Sequence, residues 1–117
     1  MKPKTYFIDI DGCIFIHRGE GASYQWLLKP PELCYGVVQQ LDILERRGDM
    51  IVLVTARPET LRERLEYELQ LLGVIYHRLV MGVTSGVRVL VNDAKPENED
   101  TAIGITIPRN EGLRRIQ

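Results

Sequence analysis

Cysteine is scarce in this chain of 117 residues, where Cys13 and Cys34 are the whole supply. Secreted scaffolds lean on several disulfides, whereas a chain of this size buries roughly two-thirds of its unfolded surface without staples. Free thiols in a reducing cytosol are therefore expected. There is no long apolar run and no secretory signal, so a cytoplasmic location is expected and a membrane partner is not. An excess of one charge is missing as well. The formal net charge of −1 gives no general attraction to nucleic acid. The one basic cluster, Arg109, Arg114 and Arg115, is short and reads as a solvated helix end, so nucleic acid is not an expected partner, although processing of a nucleic-acid end stays open. His17 and His77 stand alone without ligand spacing, which removes a histidine-built metal centre and leaves two ordinary loop or strand residues. Repeats, low-complexity stretches and linkers are lacking too. Residues 1–117 are read as one domain whose core comes from the 44% of residues that are hydrophobic.

What is present alternates between two periods. Thr5 to Gly12 is β-branched and aromatic and stops at a glycine, which predicts a buried strand ending in a turn. Cys13 to Leu28 reads as a loop or short hairpin. Pro30-Pro31-Glu32 looks like a helix start, with Leu33, Val37, Leu41 and Leu44 at helical spacing and Gly48 as the stop. Met50 to Thr55 is a nearly continuous apolar run, suited to a strand covered on both faces. Pro58 to Leu72 carries Leu61, Leu65, Leu69 and Leu72 on one face before Gly73. Further strands are predicted near Arg78 to Met81, at Arg88 to Asn92 and at Ala102 to Ile107. Strands alternating with helices imply a single-domain α/β fold: a three-layer, Rossmann-like, doubly wound parallel sheet with helices on both faces.

In such a sheet, ligands bind where the carboxyl ends of the strands meet. There the sequence sets Asp9 and Asp11 after the first strand, Thr55 after the second, and Asn92 and Asp93 after the fourth, with Lys95, Glu97, Glu99 and Asp100 just beyond. Gathered carboxylates repel unless a cation neutralises them, and hard oxygen ligands favour Mg²⁺. The cation would also screen an anionic phosphate from an anionic nucleophile. Thr55 and the backbone amides of the Gly12 turn are expected to donate to phosphoryl oxygens, with Lys95 or Arg88 balancing the remaining charge. Arg57 reads as a surface cation at a helix start. Trp26, Tyr24 and Tyr35 are expected to pack into the core rather than to line a substrate rim.

The runs Phe7-Ile8-Asp9-Ile10-Asp11-Gly12-Cys13-Ile14, Val52-Leu53-Val54-Thr55-Ala56-Arg57-Pro58 and Val89-Leu90-Val91-Asn92-Asp93 resemble the first, second and fourth motifs of haloacid dehalogenase-type phosphatases, over roughly residues 4 to 108. The resemblance implies a Mg²⁺-dependent phosphohydrolase in which Asp9 is the nucleophile that forms a phosphoaspartate. Asp11 would protonate the leaving group and then activate water. Asp9 through its carboxylate, Asp11 through its backbone carbonyl, and Asp93 would bind Mg²⁺, and Thr55 would hold the phosphoryl group. Cys13 departs from the usual threonine or valine at a structural position. The third-motif cation is assigned to Lys95 in preference to Arg88, and the second acid after the fourth strand to Glu97, with Glu99 and Asp100 competing. About forty residues separate the first two motifs, too few for a sizeable cap. An open site is expected to take a phosphorylated substrate whose class the sequence leaves open, in a monomer or homo-oligomer.

Two alternatives come from other classes. A phosphorylation-receiver signalling module also gathers acids, a threonine and a lysine around Mg²⁺, but it carries its acceptor aspartate after the third strand, where Met81-Gly82-Val83-Thr84-Ser85 has no acid. A non-catalytic phosphate- or metal-binding relative would not require an acid at Asp11.

Overall fold

Alternating contact with a core turns Thr5-Tyr6-Phe7-Ile8-Asp9 into strand β1 (Thr5–Asp9) of the computed structural model, which describes residues 2–18, 29–96, 101–114 and 116. Ile8 and, beyond the strand, Ile10 point into the core, while Phe7 on the other face is 60% exposed. Helix α1 (Val37–Arg46) follows, then strand β2 (Met50–Val54). A 3₁₀ turn at Glu59–Leu61 leads into helix α2 (Arg62–Leu71), and strand β3 (Arg78–Val80) comes next. The three strands are parallel in the order β1-β2-β3. Register sets Phe7 beside Val52 and Ile8 beside Leu53, with Leu79 beyond.

Two successive crossovers running the same way across a sheet place their helices on the same face, because such connections are right-handed. The core agrees. Ile8, Ile51, Leu53 and Leu79 from one sheet face share a cluster with Val37, Leu41 and Leu44 of α1 and Leu65 and Leu69 of α2. The other face carries Met50, Phe7 and Val80 in exposed positions. The structure is thus an α/β fold on a three-stranded parallel sheet.

Several sequence expectations need correction. Helix α1 begins at Val37 after Gly36, not at Pro30-Pro31-Glu32. The backbone of residues 32–34 is committed elsewhere: the Ile16 N–H donates to the Glu32 carbonyl at 2.8 Å and the Cys34 N–H to the Ile14 carbonyl at 2.8 Å. The strands expected at 88–92 and 102–107 are not strands in the structure. Only residues 81–87 separate β3 from the fourth segment. To pair with β1, the chain would have to recross β2 and restart at the opposite end of the sheet, and a parallel crossover takes about a dozen residues or more. Val89 in that segment is accordingly 80% exposed. Tyr35 is 85% exposed rather than in the core, and Tyr24 and Trp26 lie outside the described residues. Among the described residues no helix is long and apolar enough to cross a membrane.

Candidate active site

Parallel strands deliver their last residues to one edge of the sheet, and here that edge receives Asp9 from β1 and Thr55 immediately after β2. The end of β2 is tied to β3 and the turn beyond it, since the Thr55 N–H donates to the Val80 carbonyl at 2.9 Å and the Gly82 N–H to the Arg57 carbonyl at 2.8 Å. Beyond Asp9 the chain turns sharply at Gly12, whose φ of 97° suits glycine and few other residues. The turn is closed on itself. The Cys13, Ile14 and Phe15 amides all point to the Ile10 carbonyl, and the Gly12 amide donates to the Phe15 carbonyl at 2.7 Å. These amides are therefore spent on the backbone rather than offered to phosphoryl oxygens, which corrects that expectation.

The two aspartates have separate surroundings. Asp9 points to the open side of the sheet and accepts from Arg88 Nη1 at 3.1 Å. Asp11 is gripped by a two-pronged guanidinium: Arg57 Nε donates to Oδ2 at 3.0 Å and Nη2 to Oδ1 at 2.8 Å. Arg57 is only 8% exposed. Its guanidinium lies 5.5 Å from the centre of the Phe15 ring, and its Nη1 is 3.8 Å from Glu68 of α2. Its backbone N–H donates to the Thr55 hydroxyl at 3.1 Å. Thr55 itself is 1% exposed, so its hydroxyl braces the turn and keeps one O–H donor. Burial pushes the Cys13 thiol up to about 11, and the neighbouring Asp9 carboxylate adds to the effect.

A second turn is locked against the first. The Asn110 N–H donates to the Gly12 carbonyl at 2.8 Å, and its side chain bridges His17, accepting from the His17 N–H at 2.6 Å and donating to its carbonyl. Arg109 is exposed as expected but sits in a turn rather than at a helix end, and its stem occupies the space that a β-carbon on Gly12 would meet.

The remaining predicted residues are not brought together. Arg88, rather than the preferred Lys95, meets Asp9, and Lys95 is exposed. Asn92 donates to the Thr101 carbonyl at 2.6 Å, and the Asp93 carbonyl accepts from the Thr101 hydroxyl at 2.9 Å, so both hold their own loop. Glu97, Glu99 and Asp100 lie outside the described residues. Among the described residues no three His, Cys, Asp or Glu side chains form a group that could hold a metal. The Asp9 carboxylate and the Asp11 carbonyl remain as hard oxygen donors. That set fits Mg²⁺, which keeps several waters and takes one or two carboxylates together with the phosphate oxygens of a substrate.

The burial of Arg57 and the part played by Glu68 escaped the sequence reading. A signal existed, because Glu68 falls three residues after Leu65 on the inward stripe of α2, where a buried acid calls for a cation.

No family model matches the chain, and no curated protein does. Among solved structures, a chain of the Pnkp1/Rnl/Hen1 complex is similar at 24% sequence identity with a TM-score of 0.59, over 74% of this chain and 30% of that one. The present chain thus spans less than a third of the length of that relative, and the likeness concerns the fold.

Proposed function

We propose that the protein is a Mg²⁺-dependent phosphomonoesterase of the haloacid dehalogenase type, with a three-layer Rossmann-like core and no sizeable cap, working through a phosphoaspartate on Asp9. The observation that carries this reading is the division of labour between two carboxylates two residues apart: Asp9 stands half-exposed at the strand end, and Asp11 is held beside it in a fixed orientation by Arg57. Strand order supports it against the receiver alternative, since doubly wound signalling modules place β1 between β2 and β3 in the order 2-1-3-4-5. Here β2 is central.

In this mechanism a carboxylate oxygen of Asp9 attacks phosphorus, the bond from phosphorus to the ester oxygen breaks, and Asp11 gives its proton to the departing oxygen. Asp11 then takes a proton from water as the water oxygen attacks the acyl phosphate, which frees Asp9 and inorganic phosphate. Arg88, 3.1 Å from Asp9, supplies positive charge where the phosphoryl oxygens would gather. The Asp9 carboxylate and the Asp11 backbone carbonyl would hold Mg²⁺, which would neutralise charge on the transferring group; Asp93, which the sequence pattern adds as a third ligand, stands apart from them in its own loop. The substrate is a phosphorylated molecule reached through an open mouth. A panel of phosphate esters assayed with Mg²⁺ and with chelator tests the proposal: metal-dependent release of phosphate is expected, including weak turnover of p-nitrophenyl phosphate, which offers little remote binding energy. Inactivity across the panel at every metal concentration would overturn it.

A further inference from the structure

We infer that Arg57 is a positioning residue that fixes the carboxylate plane of Asp11 for both proton transfers, an inference that rests on the phosphatase reading. An aspartate two residues beyond a strand end, at the lip of a glycine turn, has a rotatable side chain and water on one side. The proton it gives and the proton it takes must each travel along a short, aligned path. A misplacement of about 1 Å at such a group costs on the order of 10²-fold in rate. The fork of Arg57 removes that freedom, because two parallel N–H groups at 3.0 and 2.8 Å meet both oxygens of Asp11. Each oxygen keeps a second lone pair, so the grip leaves room for the proton.

Arg57 can do this because it is itself immobilised. Its guanidinium lies over Phe15, which comes from the same turn as Asp11. Glu68, buried on α2 and also 3.6 Å from Arg64, faces its outer nitrogen. Its backbone N–H is held by Thr55. The chain Asp11, Arg57, Glu68 therefore ties the turn after β1 to the turn after β2 and to α2. A lysine would offer a single point charge instead of a planar fork.

Phenyl phosphate and p-nitrophenyl phosphate separate this role from a structural one, since they share a shape and differ in how much their leaving groups need a proton. Arg57→Gln and the paired Arg57→Gln/Glu68→Gln, which strands no buried charge, are to be compared with wild type, Arg57→Lys and Asp11→Asn, after circular dichroism has established that each is folded. The expected result is a kcat for phenyl phosphate that falls roughly 10- to 100-fold, a part of the roughly 10²- to 10⁴-fold that a general acid/base group supplies, with KM little changed. With p-nitrophenyl phosphate, whose leaving group needs little protonation, the first turnover should stay fast while hydrolysis of the phosphoaspartate slows, giving a burst of p-nitrophenol followed by a slower steady state. Arg57→Lys should recover only part of the loss, and Arg57→Gln added to Asp11→Asn should cost almost nothing further. Equal losses on both esters and in the burst, or additive losses in the double variant, would overturn the inference alone. A large rise in KM would do the same and make Arg57 a substrate contact. A folded wild type inactive on both esters would overturn the phosphatase reading and, with it, this inference.

Discussion

Burial raises the Cys13 thiol from an ordinary 9.0 to about 11; Asp9 and Cys34 add to the rise and Arg88 opposes it. A thiol whose folded value lies above its unfolded one favours the folded state in its neutral form. That contribution is whole below about 9 and is lost as pH climbs through about 11. Urea unfolding of wild type and Cys13→Ala should therefore differ by a constant amount from neutral pH to about 9 and converge above it; a gap that stays constant to pH 11 would place Cys13 in contact with water. The same residue-scale electrostatics explains what could be read in advance. Asp9 and Asp11 were legible because an apolar strand running into Asp-x-Asp-Gly leaves carboxylates at a strand end. Arg57 was not, because an arginine before a proline reads as a solvated helix start, and what buries it, Phe15 and Glu68, is separated from it in sequence. Between Arg88 and Lys95 local sequence offered no arbiter; the course of residues 81–88 decides which cation reaches Asp9.

Among the elements, β2 and the two helices formed close to where periodicity set them, and their ends were marked by Gly48 and Gly73, both at positive φ. The start of α1 is not legible in sequence because Pro-Pro-Glu is also compatible with an extended edge, and the residues that pair with 32–34, at 14–16, are distant in sequence. His77 shows how such joints are held. Its Nδ1 accepts the Ile51 N–H at 2.8 Å, its Nε2 faces Glu45 of α1 at 2.6 Å, and its own N–H donates to the Ile51 carbonyl at 2.8 Å. One side chain thus joins the start of β3 to β2 and α1. Replacing it leaves the amide of Ile51, a fully buried residue, without its acceptor, so His77→Ala should cost about 1–3 kcal/mol in chemical denaturation. A loss below about 0.5 kcal/mol, the level of an ordinary surface substitution, would mean that water replaces the imidazole.

At the scale of the whole molecule, handedness and connection length decide what pattern alone could not. Residues 88–92 have the composition of a strand, and composition was all the sequence offered. The short link from β3 and the one-sided placement of α1 and α2 leave that segment exposed and the Phe7 face open. The site survives this because Asp9, Asp11, Thr55 and Arg57 depend on β1, β2 and the turns that follow them, with Arg88 reaching Asp9 from the segment after β3 and Asn110 locking the first turn from the far end of the chain. The central claim is that Asp9 carries a phosphoryl group during turnover, and Asp11→Asn makes it visible by slowing hydrolysis of the intermediate. Rapid quench of this variant with p-nitrophenyl phosphate and Mg²⁺, followed by intact mass and peptide mapping, should find one added phosphoryl group on Asp9, absent when Asp9→Asn is introduced as well. Turnover with no adduct, or an adduct on another residue, would contradict the account.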